Sequence, residues 1–292
     1  MTGVQTCALP ILGGVDLWQH AWPLSEADAT AIDTGLRPIP ALLELLKRGE
    51  NHLRNLAKIE LGKRDSNQVV AATKAWAAQL DPASPDHAHH LAEALWVHQW
   101  HHRVDLDLLS RQLNSTNADA RAAAVRVLCY WREKVPNALA ELRRLAGDDN
   151  ARVRLQAVRA ASFFPVADAT EVALAALKKP VDYYLDYVIG ETLRQLRPQW
   201  RQRIGEGGNF SGGDPAATRY LLRTLTVAEV QALPRTADVS ENLLGRSGVN
   251  DTTRAEALAA LAKARGTAPV ALLDRKSTRL NSSHVALSRM PS

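Results

Sequence analysis

Asn117–Leu128 reads NADARAAAVRVL and Asn150–Ala161 reads NARVRLQAVRAA. The second stretch answers the first 33 residues later: Asn117, Arg121, Ala124, Val125 and Leu128 return as Asn150, Arg154, Ala157, Val158 and Ala161. The pattern comes back at Asn250, Arg254, Ala257, Leu258 and Leu261, a further 100 residues on and close to three more periods. A weaker, slightly shifted copy runs through Asn51, Arg54, Ala57 and Leu61. Each copy has the chemistry of a helix start followed by an apolar stripe. The asparagine side chain can accept a bond from an unpaired first-turn amide, and small or branched residues at i, i+3, i+4 and i+7 line one face. Such a helix cannot bury its stripe alone, whereas stacking on a neighbouring copy buries it. Periods of about 30 to 47 residues belong to helical-hairpin repeats. The spacing therefore predicts an all-α fold, an α-solenoid of roughly six to seven hairpin units.

The remaining chain supplies partner helices and punctuation. Apolar periodicity predicts helices over Ile39–Lys47, Asn67–Leu80 after an Asp65 or Ser66 cap, His87–His101, Val104–Leu113, Asn137–Ala146, Ala169–Lys178 and Tyr183–Leu196. Pro136, Pro165, Pro180 and Pro198 fall between helices in this reading, where a missing amide does least harm. Gly205–Asp214 (GEGGNFSGGD) is too rich in glycine for a helix and reads as an exposed loop or hinge. It has neither a preceding strand nor the Lys-Ser/Thr or GxGxxG spacing of a phosphate cradle. Helical pattern resumes over Pro215–Leu225, Ala228–Leu233 and Thr252–Ala264, and no stretch alternates with the period of a strand.

The two ends carry a different signature. Asp274–His284 (DRKSTRLNSSH) and Ser288–Ser292 (SRMPS) resemble a translated sequencing adapter, and Met1–Ile11 (MTGVQTCALPI) resembles the reverse complement of one. The expected organisation is adapter-derived sequence at 1–11 and 274–292, a remnant of an upstream domain or linker at 12–35, the solenoid at 36–204, the glycine-rich loop at 205–214, and further helical repeats at 215–273. Non-native ends are set aside before charge is weighed. Four of the 36 basic residues and one of the 31 acidic residues lie in them, which leaves 32 against 30. The formal charge of +5 is mostly terminal, so it gives no footprint for a phosphate backbone. Cys7 lies in the first of these ends, and Cys129 alone cannot form a disulfide framework, a CxxC zinc ribbon or a CxxCH haem attachment. Beside Tyr130 and Trp131 it reads as a small buried apolar residue. No apolar run reaches the ~18 residues of a membrane span.

His89–His98 (HHLAEALWVH), Arg121–Arg132 (RAAAVRVLCYWR), Arg152–Phe164 (RVRLQAVRAASFF) and Asp182–Tyr187 (DYYLDY) resemble the HEAT-repeat section of large bacterial haem-binding CxxCH proteins. The likeness runs from about Leu36 to about Leu273. It implies HEAT-like repeats acting as a spacer between an N-terminal dehydrogenase-type propeller and a C-terminal c-type cytochrome, in an extracytoplasmic (periplasmic) protein. Haem c would then belong to the missing part of the parent. This chain has no CxxCH, so no catalytic or haem-ligating residue carries over.

Three constellations offer chemistry. His87, His89, His90, His98, His101 and His102 crowd one helix, and His98 with His102 at i, i+4 is the spacing of a two-imidazole metal face, with Glu93 as a neighbouring carboxylate. Against it, His98 and His102 share the stripe of Leu91 and Leu95, and no third ligand converges, so buried or helix-end histidines are the plainer reading. Tyr183, Tyr184 and Tyr187, with Asp182 and Asp186, suit a core or a docking surface alike. On a helix with Leu185, Ile189 and Leu196, some should face inward and others outward. Arg121, Arg126, Arg132, Arg143, Arg144, Arg152, Arg154 and Arg159 would form a basic ridge along successive inner helices, as in HEAT-like DNA-binding proteins such as certain glycosylases. Glu133, Glu141, Asp148 and Asp149 are interleaved with them, so ladder bonding between repeats accounts for the arginines without a nucleic acid. No catalytic motif is present. The sequence thus points to a non-catalytic scaffold or spacer that contacts flanking domains or other proteins, needs no cofactor of its own, and offers Tyr183, Tyr184, Tyr187, Arg121 and Arg154 as its interaction surface. A phosphate- or nucleic-acid-binding protein is the alternative.

Overall fold

The computed structural model describes residues 37–210 and 215–272. The expectations for 1–11, 12–35 and 274–292, and for the second half of the glycine-rich loop, lie outside the described residues. The chain divides into two compact units, Met1–Arg103 and Val104–Ser292. Among the described residues every regular element is a helix and there is no strand. No helix of these is long and apolar enough to cross a membrane.

In the first unit, α1 (Ile39–Leu45) pairs with α2 (Asn51–Gly62), and α3 (Ser66–Ala78) pairs with α4 (His87–Trp100). The hairpins lie in register, since α1 also packs on α3 and α2 on α4. Leu42, Leu43 and Leu46 of the first layer and Leu53, Ala57, Leu61, Leu91 and Leu95 of the second are buried.

The second unit continues the scheme. Its helices are α5 (Leu106–Leu113), α6 (Ala118–Tyr130), α7 (Ala138–Leu145), α8 (Ala151–Ala161), α9 (Asp168–Ala176), α10 (Tyr183–Gln195), α11 (Arg197–Gly205), α12 (Pro215–Arg223), α13 (Val227–Gln231), α14 (Ala237–Gly245) and α15 (Asp251–Arg265). Helices α5 and α6, α7 and α8, and α9 and α10 form hairpins. Between hairpins, α6 packs on α8 and α8 on α10 in one layer, while α7 packs on α9 in the other. This two-layer stacking of short helix pairs is the expected α-solenoid architecture. The stripe residues Ala124, Val125, Leu128, Ala157, Val158 and Ala161 are all fully buried.

The repeated polar residues explain the hairpin turns. Asn117 Oδ1 accepts from the amides of Asp119 at 2.9 Å and Ala120 at 3.1 Å. Asn150 Oδ1 accepts from Arg152 at 2.9 Å, and Asn250 Oδ1 from Thr253 at 2.8 Å. In the weaker copy the capping position is Glu50, not Asn51, and it makes no side-chain cap. The apparent one-residue shift then disappears: the arginine stands four residues after the cap in every copy. Each arginine folds back across the start of its own helix to backbone carbonyls of the preceding turn. Arg54 donates to Arg48 and Gly49 at 2.6 and 2.7 Å, Arg121 to Ser115 and Thr116 at 2.8 and 3.1 Å, and Arg154 to Asp148 and Asp149, both at 2.9 Å. Arg254 donates to Val249 at 3.1 Å and Arg246 at 3.0 Å. A planar guanidinium with several fixed donors can satisfy two adjacent carbonyls that the turn would otherwise leave orphaned.

Other bonds join one repeat to the next. Arg121 makes a two-point contact with Asp148, both bonds at 2.8 Å. Arg154 Nη2 reaches the carbonyl of Pro180 at 2.6 Å, and the Thr192 hydroxyl that of Val158 at 3.3 Å.

Two helices lie where the spacing predicts none. α11 carries Pro198 in its first turn, where proline is tolerated, so this proline starts a helix and does not separate two. Its stripe is only Trp200 and Ile204, hidden in a charged stretch. α14 begins at a Thr236 cap and buries Val239, Ser240 and Leu243. The glycine-rich segment opens with a helix stop: Gly207 has φ 80°, its amide bonds to Ile204, and the Gly208 amide bonds to Arg203 at 2.8 Å. A Cβ on Gly208 would lie 2.9 Å from the Arg203 carbonyl oxygen, so both positions need glycine.

Candidate functional site

The tyrosines of α10 form the most exposed aromatic group among the described residues. Tyr183, Tyr184 and Tyr187 are 79%, 63% and 56% exposed. All three therefore face outward, while Leu185, Val188, Ile189, Thr192 and Leu193 fill the inner face. Tyr183 and Tyr184 meet edge to face with ring centroids 5.6 Å apart, an arrangement favoured by the ring quadrupoles. Asp182 is spent as the cap, accepting from the Leu185 amide at 2.8 Å. The repeat register carried this information. Asp182 aligns with Asn150 and Asn117, which sets Tyr184 beside Arg152 and Asp119, both exposed positions in their own helices. At the site of the locking arginine α10 has Asp186 instead, so this helix start lacks the lock that the four copies carry.

Arg154, expected on an interaction surface, is buried at 4% exposure because its guanidinium is turned into the hairpin turns. Arg121 is partly buried and joined to Asp148. The Asp148 carboxyl lies below the usual carboxylate range: burial pushes it up, but the bonds from Arg121 and the Asn150 amide, with the charges of Arg121 and Lys179, outweigh that. Arg121 is raised in turn, chiefly by its bond to Asp148. The rest of the basic ridge is largely paired with acids. Arg143 lies 3.4 Å from Glu171, Arg144 2.9 Å from Glu141, and Arg152 2.8 Å from Asp119. A phosphate backbone would have to displace these carboxylates.

The histidine-rich helix separates its two candidate ligands. α4 ends at Trp100, with His101 as its cap residue and His102 at φ 53°. The His102 amide bonds to Gln99 and the Arg103 amide to His98, so the chain leaves the helix between the two imidazoles. His98 is buried with Nδ1 3.3 Å from the Arg103 carbonyl oxygen, while His102 is exposed. His101 packs inward, Nδ1 3.0 Å from the Ser66 hydroxyl, and burial lowers its pKa. Glu93 is taken up elsewhere: it is 1% exposed and lies 3.1 Å from Arg54 and 2.9 Å from Lys58, with His89 at 3.6 Å. Its partners Arg54 and Lys58 come from the adjacent helix α2, a long-range pairing the local sequence pattern did not signal. Among the described residues no group of three or more His, Cys, Asp or Glu side chains is placed to hold a metal ion. Cys129 is buried, as its apolar neighbours suggest.

A family model for HEAT repeats matches residues 106–194. The match spans α5 to the last turn of α10, the stretch where Asn117, Arg121, Asn150 and Arg154 organise successive turns. A comparison with curated proteins finds no match.

Proposed function

We propose that this chain is a non-catalytic helical-repeat scaffold that docks a protein partner through the outward tyrosines of α10. The observation that carries the reading is the exposure of Tyr183, Tyr184 and Tyr187 together on one helix. Aromatic side chains with a polar tip are enriched where proteins bind one another, since they bury large area and lose little conformational freedom. The match to HEAT repeats over 106–194 supports a scaffold, because stacked helix pairs present long surfaces without assembling a reaction centre. A photoreactive residue at position 184 in the full chain, expressed in the cells that encode it, should give one discrete cross-linked species. The same residue at exposed Ala140 should not. Identical cross-linking patterns from the two positions would refute the docking face.

The finer reading is a spacer between a dehydrogenase-type propeller and a c-type cytochrome module in an extracytoplasmic redox protein, with those modules as its partners. It is supported by the likeness of His89–His98, Arg121–Arg132, Arg152–Phe164 and Asp182–Tyr187 to that family's repeat section. Reading the gene on both sides of Leu12 and Leu273 tests it. A propeller upstream and CxxCH downstream are expected, and an unrelated reading frame on both sides would refute it.

A further inference from the structure

We propose that the cleft between α12 and α14 binds a phosphate group, carried by a small organic monoester. The cleft has a volume of about 390 Å³ and is lined by Arg219, Arg223 and Arg246 together with Glu241 and Asn242. That volume is within the range of about 300–1,000 Å³ typical of small-molecule sites. Arg219 and Arg223 stand four residues apart on α12, a like-charge spacing that weakens a helix unless a counter-charge is supplied. Arg246 faces them from the end of α14. Its guanidinium is pinned by the carbonyls of Leu222 and Leu225 and by Asn242, so its direction is set before any ligand arrives. These acceptors take up its donors without neutralising it, so Arg246 supplies a fixed positive charge and Arg219 and Arg223 supply the forks.

The lining holds a single carboxylate. Glu241 lies 3.9 Å from Arg219, and Arg265 reaches it at 3.3 Å from the other side. Arg223 is exposed and has no carboxylate partner among the described residues. Three guanidinium groups therefore face one shared acid, and the excess of two positive charges matches a phosphate monoester, which carries about −1.5 to −2 near pH 7. Forked guanidinium donors grip carboxylates and phosphates alike at two points, but a monoester brings three terminal oxygens and nearly two charges to several guanidinium groups at once, where acetate brings two oxygens and one charge. Arg121 and Arg154 spend their donors on turns and on Asp148, whereas Arg223 holds its charge open at a cleft.

Titration of the full 292-residue chain with phenyl phosphate, inorganic phosphate and acetate, followed by calorimetry and by the rise in Tm, tests the proposal. Saturable binding of phenyl phosphate in the millimolar range or tighter is expected, weaker for inorganic phosphate, weakest for acetate, and falling with added salt. Arg223→Ala should weaken phenyl phosphate binding about tenfold, the worth of one charge-assisted contact. Glu241→Gln should tighten it, because Arg219 and Arg265 lose their competing acid. Arg223 is exposed, so its replacement should leave the fold in place, and the unligated Tm of the variant checks that. No saturation by phenyl phosphate at low salt would overturn the assignment. So would equal affinity in Arg223→Ala and the parent chain, or acetate binding as tightly as the phosphates.

Discussion

Replacing Arg154 by alanine is the sharpest perturbation of the turn-locking arrangement. Its side chain makes three bonds to backbone carbonyls: two at 2.9 Å to Asp148 and Asp149 in its own hairpin turn, and one at 2.6 Å to Pro180 in the next. A hydrogen bond contributes about 1 kcal/mol net, so three give ~3 kcal/mol. The residue is 4% exposed, so the deserted carbonyls lack easy access to water and the loss rises towards ~4 kcal/mol. Urea unfolding followed by far-ultraviolet circular dichroism measures it. Arg126→Ala, on the exposed side of α6, should stay within about 0.5 kcal/mol of the parent chain. Arg154→Lys should recover only a minor part, because one ammonium cannot span carbonyls on two turns. Unfolding of Arg154→Ala within about 0.5 kcal/mol of the parent would refute the claim that these arginines hold the turns.

Asn117→Ala and Asn150→Ala should each lose about 1 kcal/mol in the same assay, the usual worth of a helix cap, whereas Asn51→Ala should lose far less because the cap position there is Glu50. Asp148 has its folded-state carboxyl below the ordinary value, so its contribution is fully present above the unfolded value of about 3.9 and disappears as pH falls through the lower folded value. Asp148→Asn should therefore flatten the acid limb of an unfolding curve below about pH 4, and an unchanged limb would sink that assignment. Glu93→Ala leaves Arg54 and Lys58, 14% and 16% exposed, without their shared carboxylate, and should destabilise the chain by about 3 kcal/mol in urea melts.

The fold was legible because the same residues recur at turn-forming positions. Asn117, Asn150 and Asn250 cap their helices as their chemistry requires, and the stripes behind them are buried except for the half-buried Leu258. The role of the arginines was not legible, since recurrence marks a position without giving a direction. A side chain that looks like a phosphate ligand in Arg154 is instead consumed by carbonyls, which no local pattern encodes. The tyrosines illustrate the converse: composition left Tyr184 free to face either way, and only alignment with Arg152 and Asp119 fixes it outward. His98 and His102 failed to converge because α4 ends between them with His102 in the left-handed region. Helices α11 and α14 leave no periodic signal because their stripes are short and set among charges, so their burial depends on neighbours remote in sequence.

Native-state hydrogen exchange on Leu128→Ala tests the linear stack most directly. Leu128 is fully buried in α6, and its truncation opens a cavity costing about 2–5 kcal/mol. In an array of nearest-neighbour contacts, amide protection should fall in α5 to α8 and remain unchanged in α14 and α15. An equal loss of protection in α15 and α6 would mean one cooperative globule, and would contradict the account.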